Sequence, residues 1–315
     1  MKCSKSIIAG FVALTSMAMA DVNPSDMFMD HMGIQRDTAA PVWGTATASE
    51  QVTVTGSWAP AVSVSTTADG DGKWRVDLQT PSAGGPHTLT IEGNNTITIT
   101  DVLSGDVWLC SGQSNMARSL DVSDNSAAAI EAADYPNLRL FNIKPDQVSV
   151  PLTEFRPYPG TGEFPEWSAC TPTSARDMSA VGYYFGRELL TELNVPIGLI
   201  SSAFSGTPIE DWLPDPPSDR KAYNAMIHPQ IPFAIRGVIW YQGENNVYNG
   251  IDGDPLSYVA KKKELIDSWR SLWGNDFPFY YVQLAPYNYS RHGVGGVLPF
   301  FWEAQTQVLD EVTGT

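Results

Sequence analysis

At Gly105 the hydrophobic period of this chain changes, and that change limits the folds open to it. Before it, short stretches alternate polar with apolar: Gln51-Val52-Thr53-Val54-Thr55, Val62-Ser63-Val64-Ser65 and Thr96-Ile97-Thr98-Ile99-Thr100. Turn signals separate them at Asp69-Gly70-Asp71-Gly72, Gly84-Gly85-Pro86-His87 and Glu92-Gly93-Asn94-Asn95. Alternation of period two puts one strand face in a core and the other in water, so residues 21–104 read as a small β-sandwich-like domain. After Gly105 the strands are near-continuously apolar: Val107–Cys110, Leu138–Ile143, Ile197–Ser201, Gly237–Tyr241 and Phe279–Leu284. Helical patterns lie between them, clearest at Met178–Leu193 and Tyr258–Trp273. Strands apolar on both faces and joined by helices imply a parallel sheet covered on both sides. Residues 105–315 are therefore expected to form a three-layer α/β/α sandwich. The Pro-rich stretch Asp211–Arg220 reads as a surface loop beside the site.

The first twenty residues stand apart from both patterns. Lys2 and Lys5 precede an apolar run from Ile7 to Met19, closed by Ala18-Met19-Ala20. That is the pattern of a secretory signal peptide, too short for a membrane span. Its removal would take the formal charge from −16 to −18, since two lysines and no acids leave with it. Such a balance argues against a nucleic-acid partner and against an anionic membrane surface. A secreted or periplasmic location follows, in which Cys110 and Cys170 are free either to bridge or to stay as buried thiols.

Reactive groups of open α/β sheets sit on loops at the carboxyl ends of the strands. Three strand ends carry polar clusters: Cys110-Ser111-Gly112-Gln113-Ser114-Asn115-Met116, Ser202-Ala203-Phe204-Ser205-Gly206-Thr207-Pro208, and Trp240-Tyr241-Gln242-Gly243-Glu244-Asn245-Asn246. A serine on a sharp turn between strand and helix has its hydroxyl held out of the sheet, and a helix start there can stabilise negative charge. Ser114 can equally be a helix cap, Gly206 an ordinary loop glycine, and the amides of Gln242 and Asn245 loop-backbone partners.

The block from Gly105 to Met116 closely resembles the nucleophile block of the sialate O-acetylesterase family, and Arg236–Glu244 resembles its strand-end block. Trp167–Pro172 with Ser179–Arg187, and His31–Arg36 with Pro41–Gly44, are similar too. The resemblance implies an SGNH hydrolase fold and a secreted serine esterase that removes O-acetyl groups from sialic acid or related carbohydrate through an acyl-enzyme. No metal or other cofactor is implied. It makes Ser114 the nucleophile, the backbone N–H groups of Ser114 and Gly206 oxyanion donors, and Gln242 the preferred side-chain donor ahead of Asn245. Glu244 is read as a loop-ordering group.

An SGNH protein takes its base and acid from an Asp-x-x-His pair after the fifth strand. None follows Phe279 in this sequence, and the histidines present are His31, His87, His228 and His292. The SGNH domain is accordingly expected to be C-terminally incomplete and poorly active, unless His292 or His228 takes the role. Two other functions stay open. One is deacetylation of neutral plant or algal polysaccharides, which the negative charge favours over an anionic sugar. The other is glycan binding without cleavage, which ten tryptophans and twelve tyrosines would suit. Nothing in the sequence fixes the oligomeric state.

Overall fold

The structure is a computed structural model and describes residues 21–58, 61–158, 160–214, 221–249, 254 and 256–315, the side chains of 291 and 292 excepted. The segment expected to be a signal peptide lies outside the described residues, as does most of the Pro-rich loop after position 214.

The alternating N-terminal stretches pair as two sheets. One holds β1 (Asn23–Pro24), β3 (Ala39–Thr45) and β6 (Lys73–Gln79); the other holds β2 (Gly33–Gln35), β4 (Gln51–Gly56), β5 (Val62–Thr67), β7 (Gly84–Glu92) and the start of β8 (Thr96–Gly112). Val42, Val76 and Leu78 of the first sheet share a core with Val52, Val54, Leu89 and Ile91 of the second, while the residues between them face outward. The expected turn at Gly84–His87 is instead the irregular start of β7, where the pairing with β8 shifts register between Gly84 and His87.

No linker joins the two parts. β8 runs unbroken for 17 residues through the boundary expected between positions 104 and 105. Its first half pairs with β7 antiparallel. Its second half lies at the centre of a parallel sheet, between β11 (Ile197–Ala203) and β12 (Gly237–Tyr241). Beyond β11 comes β9 (Tyr135–Ile143), and beyond β12 comes β13 (Phe279–Tyr281), both parallel. β10 (Trp167–Cys170) adds an antiparallel edge to β9. These are the five apolar runs of the sequence, in the spatial order β9-β11-β8-β12-β13.

Successive residues of β8 enter different cores, which makes the domain three layers deep. Val107 and Leu109 pack with Trp269 of α5 (Leu256–Trp273) and with Phe301, Ala304 and Val308 of α6 (Val297–Glu311). Trp108 and Cys110 pack on the opposite face with Tyr183 and Ala180 of α3 (Ala180–Leu193). α3 starts two residues later than its periodicity predicts, because Ser179 accepts from Gly182 N and caps it. Its closest approach to the sheet is made by glycines rather than by the large apolar residues. A Cβ on Gly186 would stand 2.6 Å from Leu199 Cδ1.

Cys110 and Cys170 are both buried and unbridged. The physical reason is position: β8 and β10 are separated by β11 and β9, three inter-strand spacings or about 14 Å. A disulfide requires Cβ atoms about 4 Å apart. Burial pushes the Cys170 thiol up to about 12, and Cys110 higher still.

The seam between the parts is held by Arg139 of β9. Its guanidinium grips Asp101 through Nη1–Oδ2 at 2.7 Å and Nη2–Oδ1 at 2.9 Å, and also donates to His31 O. His31 Nδ1 meets the same carboxylate at 2.7 Å. The Arg139 hydrogen bonds, helped by His31 and opposed by burial, hold the Asp101 carboxyl at about 2. A depressed carboxylate stabilises the fold fully above its unfolded value near 4 and loses that contribution as pH falls toward 2. Asp101 is 36% exposed, so the amount is about 1 kcal/mol after solvent screening. Asp101→Asn is expected to lower the melting temperature at neutral pH by a few degrees and to leave the two proteins alike near pH 2. Equal melting temperatures at pH 7 would refute the role.

Candidate active site

Register brings the three polar clusters side by side. Gly112, the last residue of β8, pairs with Ala203 on one side and Tyr241 on the other. The three chains leave the sheet together, about 5 Å apart. Phe204 N donates to Gly112 O at 3.0 Å, and Gln113 N donates to Tyr241 O at 2.9 Å. The turn requires glycine: Gly112 has φ +138°, and a Cβ there would lie 2.2 Å from Tyr241 O.

Ser114 follows as the first residue of α1 (Ser114–Ala117), and it is exposed. The helix is a single turn of four residues. The stabilisation of negative charge expected from a helix start therefore reduces to local N–H groups, because few peptide dipoles are aligned behind them. As a first-turn residue, Ser114 has no intrahelical acceptor for its N–H. Among the described residues its hydroxyl has one partner, the Gln113 Nε2 amide, which donates to it at 3.5 Å.

Beneath the serine lies a buried hub of amides. Gln113 Oε1 accepts from Gln242 Nε2 at 3.1 Å and from Asn245 N at 3.1 Å. Gln242 is fully buried, and its Nε2 also reaches Thr207 O at 3.1 Å and Asn246 Oδ1 at 2.7 Å. Its Oε1 accepts from Tyr258 OH at 2.9 Å. Asn246 in turn accepts from Ile209 N at 3.0 Å. One side chain from each of two strand ends thus locks all three loops together. The Gln242 amide has two hydrogens and three nearby acceptors, all inside the protein.

Asn245 is placed differently. It is partly exposed on α4 (Glu244–Tyr248), and its Nδ2 donates to Gly206 O at 2.8 Å, leaving a second amide hydrogen. Gly206 is exposed with φ +79°, a backbone conformation natural to glycine, and has open space where a Cβ would point. Glu244 orders the loops as the sequence reading expects: its Oε1 accepts from Asn115 Nδ2. Burial pushes its carboxyl up, against hydrogen bonds from its own N–H and from Asn115.

Three histidines lie in other surroundings. His31 pairs with Asp101, His228 Nδ1 meets Leu152 O at 2.7 Å, and the His87 ring sits against Trp58 in the sandwich. The His292 side chain lies outside the described residues. Among the described residues no histidine is bonded to Ser114. A cavity of about 360 Å³ bordered by Arg36, Asp106, Arg236 and Phe277 opens at the amino ends of the strands, away from these loops.

Sequence reasoning missed the part played by Gln113, Thr207, Asn246 and Tyr258. Gln113, Thr207 and Asn246 lie within the polar clusters and Tyr258 on α5, but nothing local distinguishes a side chain that locks loops from one that faces a ligand.

A carbohydrate esterase family model, described as sialic acid-specific acetylesterase, matches residues 104–297. The sialate O-acetylesterase of Homo sapiens is 32% identical over 298 residues, which cover 81% of this chain and 55% of that protein. That of Rattus norvegicus is 30% identical over 329 residues, with 82% and 59% covered. The chain thus spans little more than half the length of these relatives. The crystal structure of a carbohydrate acetylesterase from Xanthomonas citri superposes with a TM-score of 0.81 at 32% identity, covering 92% of this chain and 66% of that one.

Proposed function

This chain belongs to the sialic acid-specific acetylesterase family of carbohydrate esterases, and on that premise we propose that it is a serine esterase releasing acetate from O-acetylated carbohydrate. The observation that carries the proposal is the convergence of Ser114, Gly206 and Asn245 on three adjacent strand ends, fixed by the Gln113–Gln242 hub. Ser114 Oγ attacks the acetyl carbonyl carbon while a base takes its proton. The oxygen that becomes negative is met by the N–H groups of Ser114 and Gly206 and by Asn245 Nδ2, in the manner of an oxyanion hole. Collapse returns the proton to the leaving sugar oxygen and leaves acetyl-Ser114. Water then adds to the same carbonyl and releases acetate. Neither His31, His87 nor His228 is assigned the role of base, because each is held in other surroundings.

Residues 1–20 are proposed to direct export. One experiment tests both statements. Acetate release is measured on O-acetylated sialosides and on acetylated neutral oligosaccharides, using secreted protein whose first residue should read Asp21. Release from neither sugar class would count against the esterase; intact Met1 would count against export. The absence of a histidine bonded to Ser114 among the described residues favours one second reading, a glycan-binding protein without turnover. Sugar binding with no acetate release would establish it.

A further inference from the structure

The strand-end loops at the same edge of the sheet as the serine carry a group of tyrosines that the acyl-transfer chemistry does not use. Tyr248 ends α4, one helical turn after Glu244 and Asn245. Tyr287 and Tyr289 come from the loop after β13, the strand next to β12, so they rise from the same edge of the sheet. The rings meet edge to face, with centroids 5.1 Å apart for Tyr248–Tyr289 and 5.0 Å for Tyr287–Tyr289. Tyr289 is buried and supports the other two, which are 37% and 51% exposed. Large, rigid and amphipathic faces of this kind suit the apolar face of a pyranose ring, at small entropic cost.

Among the described residues, the carboxylate that bears on this group of tyrosines is Glu244. Glu244 bears electrostatically on Tyr241, Tyr248, Tyr258 and Tyr289. Among the described residues no cation pairs with this carboxylate; its partners are Asn115 and its own N–H. Lys261, on the helix that follows, is bound to Glu210. Recognition of a sugar carboxylate calls for an arginine fork or an uncommitted lysine.

We propose that Tyr248 and Tyr287, backed by Tyr289, stack a neutral pyranose residue of the substrate beside Ser114, and that Glu244 disfavours an anionic sugar there. This rests on the esterase reading for its location, and a binding measurement separates the two. Titration calorimetry on the Ser114→Ala protein compares an acetylated xylo-oligosaccharide with an O-acetylated sialoside. The neutral ligand should bind at least about 10-fold more tightly, one unfavourable charge contact being worth that much. Tyr248→Ala and Tyr287→Ala should each weaken it about 3- to 10-fold while Tyr→Phe retains affinity, and Glu244→Gln should narrow the preference. Tighter binding of the sialoside would overturn the proposal, as would alanine variants that melt normally and bind unchanged. Should an alanine variant not fold, the ligand preference and the Glu244→Gln comparison decide. A chain that prefers the neutral ligand but releases no acetate would sink the esterase reading alone.

Discussion

Ser114→Ala is expected to reduce acetyl-ester turnover by roughly 10⁴-fold or more, the scale seen when a nucleophile of this kind is removed. The effect is that large because Ser114 supplies the atom that bonds to the acetyl carbon; positioning by the other loops can only lower the barrier for a nucleophile that is present. A serine-directed phosphonate should label Ser114 and spare Ser111. The comparison is demanding, since the two lie three residues apart. Ser111 points into the protein, fully buried and with an unbonded hydroxyl, whereas Ser114 is exposed past the Gly112 turn. An adduct at any other residue of an active preparation would refute the nucleophile assignment.

Asn245→Ala is expected to lower kcat by about 10²- to 10³-fold with little change in KM, the cost of one donor aimed at charge that develops only in the transition state. Gln242→Ala should act through stability instead. It removes a fully buried amide, takes one donor each from Gln113 Oε1 and Asn246 Oδ1, which keep Asn245 N and Ile209 N, and leaves Thr207 O without its Gln242 partner, an unsatisfied buried group costing about 1–3 kcal/mol. Its signature is a melting temperature lowered by several degrees. The reverse pattern, with Gln242→Ala stable but catalytically crippled and Asn245→Ala near normal, would establish the order of donors that the family resemblance implies.

The two amides show what kind of information a sequence holds. The five parallel strands are legible because runs such as Val107–Cys110 are apolar on both faces, which only a doubly covered sheet tolerates. The strand-end position of Ser114, Gly206 and Asn245 follows from the same runs. Family resemblance, rather than spacing, supplies their roles. The amide hub is illegible because its central bond joins residues 129 apart, and an amide shows the same letter whichever way it points. The packing face of α3 is hard to read for a related reason. Large residues signal burial, yet Gly182 and Gly186 mark where helix and sheet come nearest. Lys262 is another such case: it looks like part of a basic surface stripe but is fully buried, its amine 2.8 Å from the centre of the Tyr281 ring. Burial holds that amine well below the usual lysine range.

The unbroken β8 bears on how a substrate can be admitted. Closure of one lobe over another needs a few residues free to change their backbone angles, and such pivots are ordinarily found where pairing lapses. Here the connection has one irregular stretch, between Ile99 and Ser104, where the pairing with β7 shifts register and Asp101 takes φ +55°; β2 and the Arg139 guanidinium brace it there, and β11 and β12 pair the strand beyond. It spans about 50 Å of extended chain and ends at the turn that presents Ser114. The sandwich is thus a rigid handle on the nucleophile rather than a jaw above it. Entry and release of sugar fall to the loops at the strand ends, and the sandwich should keep one orientation with ligand present or absent.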